Sequence, residues 1–256
     1  MNSNESKYVE GKNYLLRLAH SRELASRAAE NHAHAGFASE AEWLRCLKDD
    51  FPKFIPFLTK RCGLEFRGRM LEIGAGAAWL SAELSKLPKV VEIVVTDFSP
   101  ERLQEQVPKT FKLLKAHEGK ITRTPADFHK LDFPNNHFDF VVCSAVLHYA
   151  ANVPAVLREL RRVLKPGGKV VAIREPVWPL MKRKPRPPAQ TQRAGHRMAA
   201  QAYRLEEYRD FFARAGLEVE ARRVNLSSGM RFFFDEMVNG LTHARYAFVA
   251  TKRGKA

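Results

Sequence analysis

From Arg69 onward, short apolar runs alternate with longer amphipathic stretches, and this alternation constrains the fold of the 256-residue chain more than any other feature. Residues 70–73, 90–96, 121–124, 138–144 and 169–174 have the length and branched apolar content of strands, and several are apolar on both faces. A strand buried on both faces belongs to a parallel sheet covered by helices. Helical patterns occupy 78–87, 101–116 and 153–164. The third stops at Lys165-Pro166-Gly167-Gly168, read as a turn into the next strand. A helix at 205–215, a stop at Gly216 and strands at 217–223 and 245–251 complete the pattern. Such alternation predicts an α/β, doubly wound domain.

The segment before it reads differently. Leu15, Leu16, Leu18, Ala19, Leu24, Ala28 and Ala29 recur at helical spacing. Ser39 followed by Glu42 is a capping-box pattern for a helix carrying Trp43, Leu44 and Leu47, and Pro52 and Pro56 are expected to interrupt the stretch after it. Residues 1–66 are therefore read as a helical cap and 67–256 as the α/β domain, with insertions at about 176–204 and 224–244. With 45% hydrophobic residues, 17 of the side chains being Phe, the chain can bury enough surface to offset its entropy, which excludes a disordered protein. Three widely spaced cysteines, Cys46, Cys62 and Cys143, make neither a disulfide framework nor a zinc cluster and suit a reducing compartment. No apolar run approaches the roughly 20 residues of a membrane span, and the polar start lacks the apolar stretch of a secretory signal. A cytoplasmic location is expected.

The net charge of +15 calls for an anionic partner. The excess gathers at 177–256, where 16 basic residues face 7 acidic ones. Within that third, the run from Lys182 to Pro188 is a basic, proline-stiffened loop, either a solvated connector or a lid that meets phosphate groups.

The sharpest local signal is the run from Met70 to Leu80, in which a buried strand enters a Gly74-x-Gly76 turn that opens a helix. Such a turn allows a ligand to approach bare main chain. Trp79 stands where a dinucleotide fingerprint has its third glycine, which argues against a pyrophosphate, and Glu72 suits a ligand ending in an ammonium group. Asp97 ends the next strand, 21 residues beyond Gly76, where a carboxylate accepts both hydroxyls of a ribose. After the third strand, Asp127 can accept from an adenine amino group while Phe128 packs on the ring. One Asp at a strand end is ordinarily a turn residue; the ordered set of Glu72, Gly74, Gly76, Asp97 and Asp127 is what points to a nucleoside-bearing ligand.

This set resembles a class I S-adenosylmethionine-dependent methyltransferase of the type 11 pattern, over about residues 68–176. The stretch from Leu71 to Gly76 is similar to the family's first motif. Asp97 is similar to its ribose-binding acid and Asp127 to its adenine-region acid. The stretch from Phe138 to His148 resembles its fourth strand and the loop beyond it, and that from Leu157 to Gly168 the helix and turn before strand five. The resemblance implies a Rossmann-like, seven-stranded sheet of order 3-2-1-4-5-7-6 with strand 7 antiparallel. It implies S-adenosylmethionine as cofactor, S-adenosylhomocysteine as product and no metal. Glu72, Gly74, Ala75, Gly76, Asp97, Phe98, Asp127, Phe128 and Ser144 are then the cofactor-binding candidates, and the cap and insertions cover the acceptor pocket.

In-line methyl transfer needs alignment above all, worth about 7–11 kcal/mol of barrier, and a base only when the acceptor is a poor nucleophile. His148, after the fourth strand, is the candidate catalytic base, with loop positioning as its alternative role. Tyr149, Glu175, His196 and Tyr203 can also face the acceptor but read first as structural polar residues. His32 and His34 read as a loop pair and Cys143 as a packed thiol. Phe232, Phe233 and Phe234, with Trp178 and Met181, line an apolar pocket or fill a core. The leading functional reading is methyl transfer to O or N of a small molecule, anionic and phosphate-bearing, glycan-linked or a natural product. An RNA methyltransferase is the alternative, and a non-catalytic cofactor-binding scaffold the second.

Overall fold

A computed structural model describes residues 40–178, 203–227, 230 and 246–254. Seven strands form one sheet: β1 (Gly68–Glu72), β2 (Val90–Asp97), β3 (Ile121–Pro125), β4 (Phe138–Ser144), β5 (Leu164–Glu175), β6 (Glu218–Arg223) and β7 (Tyr246–Thr251). Their order is β3-β2-β1-β4-β5-β7-β6. The first five are parallel, and β7 runs antiparallel to both β5 and β6. The expected topology is the observed one. No helix among the described residues is long and apolar enough to cross a membrane.

The central strands are buried on both faces because the pleat sends alternate side chains into two separate cores. Met70, Ile93, Val95, Phe140, Val142 and Val171 enter one core. Leu71, Val94, Val141, Cys143, Val170 and Ala172 enter the other. The first is covered by helices α2 (Trp79–Leu84) and α3 (Val107–Leu114), the second by α4 (Val153–Val163) and α5 (Leu205–Arg214). Helix α4 shows why the sequence forms it there. Asn152 caps it by accepting from the Ala155 N–H at 3.0 Å, Pro154 sits in its first turn, and Val153, Val156, Leu157, Leu160 and Val163 bury one stripe.

Three expectations change. The prolines do not break the segment after helix α1 (Glu40–Arg45): right-handed backbone continues through a 3-10 turn opened by Pro52 and a π-type turn, Phe57–Arg61, after Pro56. At the start of a turn a missing N–H costs little. This described part of the cap shares the first core, with Phe51 and Phe54 packed on Trp79 at ring-centroid distances of 4.8 and 6.0 Å. Trp79 is thus the seat of the N-terminal segment, whereas Leu44 is exposed. Residues 165–168 are not a plain turn but the irregular start of β5, where the Gly167 N–H donates to Lys252 O and the Lys252 N–H to Gly168 O. Helix α2 begins at Trp79 because Ala78 takes a left-handed φ of 55°. The helical pattern at 15–29, Ser39, Met181, the basic run 182–188, His196, His32, His34 and Phe232–Phe234 lie outside the described residues.

The second core is anchored by Phe212, fully buried against Phe248 with ring centroids 5.8 Å apart. Phe212→Ala is expected to cost about 3–5 kcal/mol, read as a lower urea midpoint at unchanged slope. A loss under about 1 kcal/mol would show that the core does not depend on that ring.

Candidate active site

The carboxyl ends of β1, β2, β3, β4 and β5 lie along one edge of the sheet, where ligands bind in open α/β folds. The chain leaves β1 through Gly74 and Gly76, with φ of 56° and 54°, angles that a side chain rarely adopts. A Cβ on Gly74 would lie 2.7 Å from Val146 Cγ1, so the loop after β4 presses directly on this turn. A Cβ on Gly76 would meet nothing within 4 Å, so the main chain there is open. The turn is tied to the neighbouring strand by the Ala75 N–H to Thr96 O (2.9 Å) and the Gly76 N–H to Asp97 Oδ2 (2.8 Å).

The acids fall into two environments. Asp97 is buried; its Oδ1 accepts from the Ser99 N–H at 3.0 Å, and Arg102 Nη1 lies 3.8 Å away. Glu72 is almost wholly buried, and its Oε2 accepts from both the N–H (3.0 Å) and the hydroxyl of Ser81. Burial pushes the Glu72 carboxyl up to about 8; the two Ser81 bonds oppose this and the Asp97 charge adds to it. Asp127 is exposed at a turn, where its Oδ1 accepts from His129 N–H (2.9 Å) and Nδ1 (2.8 Å). Burial would raise this carboxyl, but the His129 bonds outweigh it and hold it below the ordinary range. Phe98 and Phe128 are half-buried beside their acids. The structure therefore brings Glu72, Gly74, Ala75, Gly76 and Asp97 into one connected loop system and sets Asp127 with Phe128 at the end of the adjoining strand β3.

On the other side of β1, Glu175 closes β5. Its Oε1 accepts from the N–H groups of Val146 (2.8 Å) and Leu147 (2.9 Å), and its Oε2 from the His148 N–H (3.2 Å). Oε2 also lies 2.9 Å from His148 Nδ1. Nδ1 as the donor in that fourth contact matches a carboxylate that already accepts three backbone N–H bonds. Nε2 makes no hydrogen bond, and no buried side-chain nitrogen among the described residues lacks a partner, so Nε2 reaches accessible surface. Beneath Glu175, burial and then the Glu175 charge push the Tyr208 phenol far above its ordinary range. Cys143 is fully buried, which with the Glu175 and Glu72 charges raises its thiol well above the usual value. It is a packed thiol.

Ser144 accepts from Arg174 Nη1 at 3.3 Å, and the Arg174 guanidinium lies 4.2 Å from the Phe51 ring centroid, linking the cap to the strand ends. Ala145 and Arg174, at the ends of adjacent strands, both have left-handed φ (59° and 61°), strain of the kind that collects at functional sites. Sequence reasoning missed Ser81 and the bridging part of Glu175. Neither has a local signal, because each meets its partner only through the sheet.

Known proteins share both the sequence pattern and the architecture. The family described as methyltransferase domain matches residues 71–172. The ubiquinone/menaquinone biosynthesis C-methyltransferase UbiE of Pseudomonas putida is 32% identical over 118 residues, 46% of this chain and 45% of that protein. The chain thus spans about half the length of the curated relatives it matches. Among solved structures, a SAM-dependent methyltransferase from Aquifex aeolicus has a TM-score of 0.54 at 20% identity, covering 81% of this chain and 92% of its own. Phosphoethanolamine N-methyltransferase 2 of Haemonchus contortus, solved with S-adenosylmethionine, has a TM-score of 0.59 at 15% identity, covering 96% and 60%. At these identities the two structures establish a shared fold.

The Glu72 carboxyl yields a pH test. An unfolded chain releases its proton near 4.5 whereas the folded protein holds it to about 8, so stability falls as pH rises through that interval and levels off above it. Gln copies the protonated form and keeps the oxygen that accepts from Ser81. The melting temperature of Glu72→Gln minus that of the parent is expected to grow, on the order of 5 °C, between about pH 5 and about pH 8.5. A constant difference across that range would refute it.

Proposed function

We propose that this chain, which through residues 71–172 belongs to the class I S-adenosylmethionine-dependent methyltransferase family, moves a methyl group from that cofactor to a small molecule. One observation carries the reading: the Gly76 N–H donates to Asp97, so the open turn after β1 and the acid ending β2 form one unit at the carboxyl edge. The residues present fit the cofactor. The open main chain at Gly76 admits a close ligand, Asp97 keeps a second lone pair on each oxygen for ribose hydroxyls, and Phe98 flanks it. Glu72 Oε1 makes no hydrogen bond and remains for the ammonium end. Asp127 and Phe128, with Ala75 and Ser144, complete the binding set. When bound, the cofactor supplies an electrophilic methyl group on sulfur.

The chain's own contribution is alignment and exclusion of water. Residues 1–66 act as a cap, and the insertions at about 176–204 and 224–244 close the acceptor side of the 67–256 domain. His148 is the group that accepts a proton from the acceptor, through Nε2. The net charge of +15 favours an anionic acceptor held from outside the acidic centre. Oxygen and nitrogen are the acceptor atoms of this reading. Carbon stands beside them as a second reading, because the Pseudomonas putida relative is named a C-methyltransferase.

Titration calorimetry with S-adenosylhomocysteine tests the cofactor site. Asp97→Ala is expected to weaken binding at least about 10- to 150-fold, the range of one hydrogen bond to a charged group, while a cooperative melt is retained. Unchanged affinity would remove Asp97 from the site. Labelled methyl should pass from the cofactor to the small-molecule fraction of a cell extract; label confined to the RNA fraction would overturn the small-molecule reading.

A further inference from the structure

We propose that His129 is a positioning residue for the Asp127 end of the site, and that its ring makes the site select a purine bearing an amino group; this rests on the cofactor reading of Asp127. Three contacts converge on the one imidazole. The Ala151 N–H donates to Nε2 at 3.3 Å, Nδ1 lies 2.8 Å from Asp127 Oδ1, and the ring centroid lies 4.6 Å from that of Phe128. A main-chain N–H donates only to a ring nitrogen that carries no proton, so Nε2 is bare and Nδ1 bears the hydrogen given to Asp127. The contact with Ala151 thus makes the ring a donor toward the acid. It also fastens the segment after β3 to the start of α4, since Ala151 precedes the capping Asn152. Further along the same segment, the Leu131 N–H donates to Glu159 Oε1 on α4 at 2.8 Å.

These bonds fill one oxygen of Asp127 and leave the other open. Oδ1 accepts from the His129 N–H at 2.9 Å and from Nδ1, which uses both of its lone pairs, whereas Oδ2 makes no hydrogen bond among the described residues. The main-chain bond would form with any residue except proline at 129, and belongs to the turn in which the Lys130 N–H donates to Asp127 O at 3.0 Å. The ring bond is the one that depends on histidine. It stops the carboxylate from turning and keeps Oδ2 on the side away from His129. The Asp127 side chain is 51% exposed, so that oxygen can be reached. Although burial raises it, the His129 bonds keep the carboxyl below its ordinary range, so it is ionised near neutral pH and accepts without donating. The amino group at C6 of adenine donates to such an oxygen. A carbonyl at C6 sets lone pair against lone pair. Phe128, ordered by the same imidazole, offers an apolar ring beside the acid.

The chain labelled with 15N-histidine has nine histidines, and the His129 signals are those lost in His129→Asn. At about pH 8, where the neutral imidazole prevails, long-range 1H–15N spectra are expected to show Nδ1 protonated and Nε2 bare, the reverse of the form that prevails in free histidine. The opposite tautomer overturns the proposal. Titration calorimetry then compares S-adenosylhomocysteine with its deaminated analogue, which carries a carbonyl at C6. The parent is expected to favour the first by about 10- to 100-fold. His129→Leu keeps the main-chain bond but loses the ring donor, and is expected to reduce that preference by about 5- to 10-fold. His129→Asn, whose amide nitrogen stands in for Nδ1, is expected to restore it to within about twofold of the parent. A preference unchanged in His129→Leu, including a parallel loss of both affinities, overturns the specificity role, as does a preference that His129→Asn does not restore. Equal binding of the two ligands by the parent overturns the proposal while the cofactor reading stands. Absence of S-adenosylhomocysteine binding to the parent overturns the cofactor reading instead and leaves the tautomer result standing.

Discussion

Loops leaving the carboxyl end of a parallel sheet present N–H groups beyond the reach of the strand ladder, and here buried acid side chains accept several of them. Glu72 serves Ser81, Asp97 serves Gly76 and Ser99, and Glu175 serves three successive residues after β4. Bonds of this kind contribute about 1.5–3 kcal/mol each, and losing the acceptor leaves several donors stranded at once. The contacts are also continuous. Glu175 holds Val146, Val146 presses on Gly74, and the turn containing Gly74 is tied through Gly76 to Asp97. The end of β5 is thereby joined to the end of β2 by an unbroken chain of contacts, across three strand boundaries.

This construction gathers buried acids inside a strongly basic protein. Burial holds the Glu72 proton to about 8, and burial, then the Glu175 and Glu72 charges, lifts the Cys143 thiol. A cationic ligand relieves that tension when it enters, because its charge replaces the missing hydration of the carboxylates. The chain as a whole carries a net charge of the opposite sign, +15.

Much of this was legible in the sequence because parallel strands are nearly continuous apolar runs and their ends are marked by Gly or Asp. The runs at 90–96 and 138–144 correspond to β2 and β4 almost residue for residue. Asp97 was visible for the same reason, standing where an apolar run stops. Glu175 was visible only as a polar residue, since its four donors are 27–29 residues away in sequence and meet it through the β4–β5 register, in which Ser144 pairs with Ile173. Trp79 read as a departure from a dinucleotide motif; its positive purpose, seating Phe51 and Phe54, depends on a tertiary contact. Pro52 and Pro56 misled because turn-initiating prolines are compatible with a helical path that changes its pitch.

Val177 and Tyr203 pair as a parallel bridge, and the Trp178 N–H donates to Tyr203 O at 2.7 Å. Twenty-four intervening positions, 179–202, therefore begin and end at one fastened neck beside β5 and α5. The bonds of this neck lie between Val177, Trp178 and Tyr203, residues that flank the interval on either side. The two ends of the interval 179–202 are therefore fixed to one another independently of the loops that leave β1, β2 and β4.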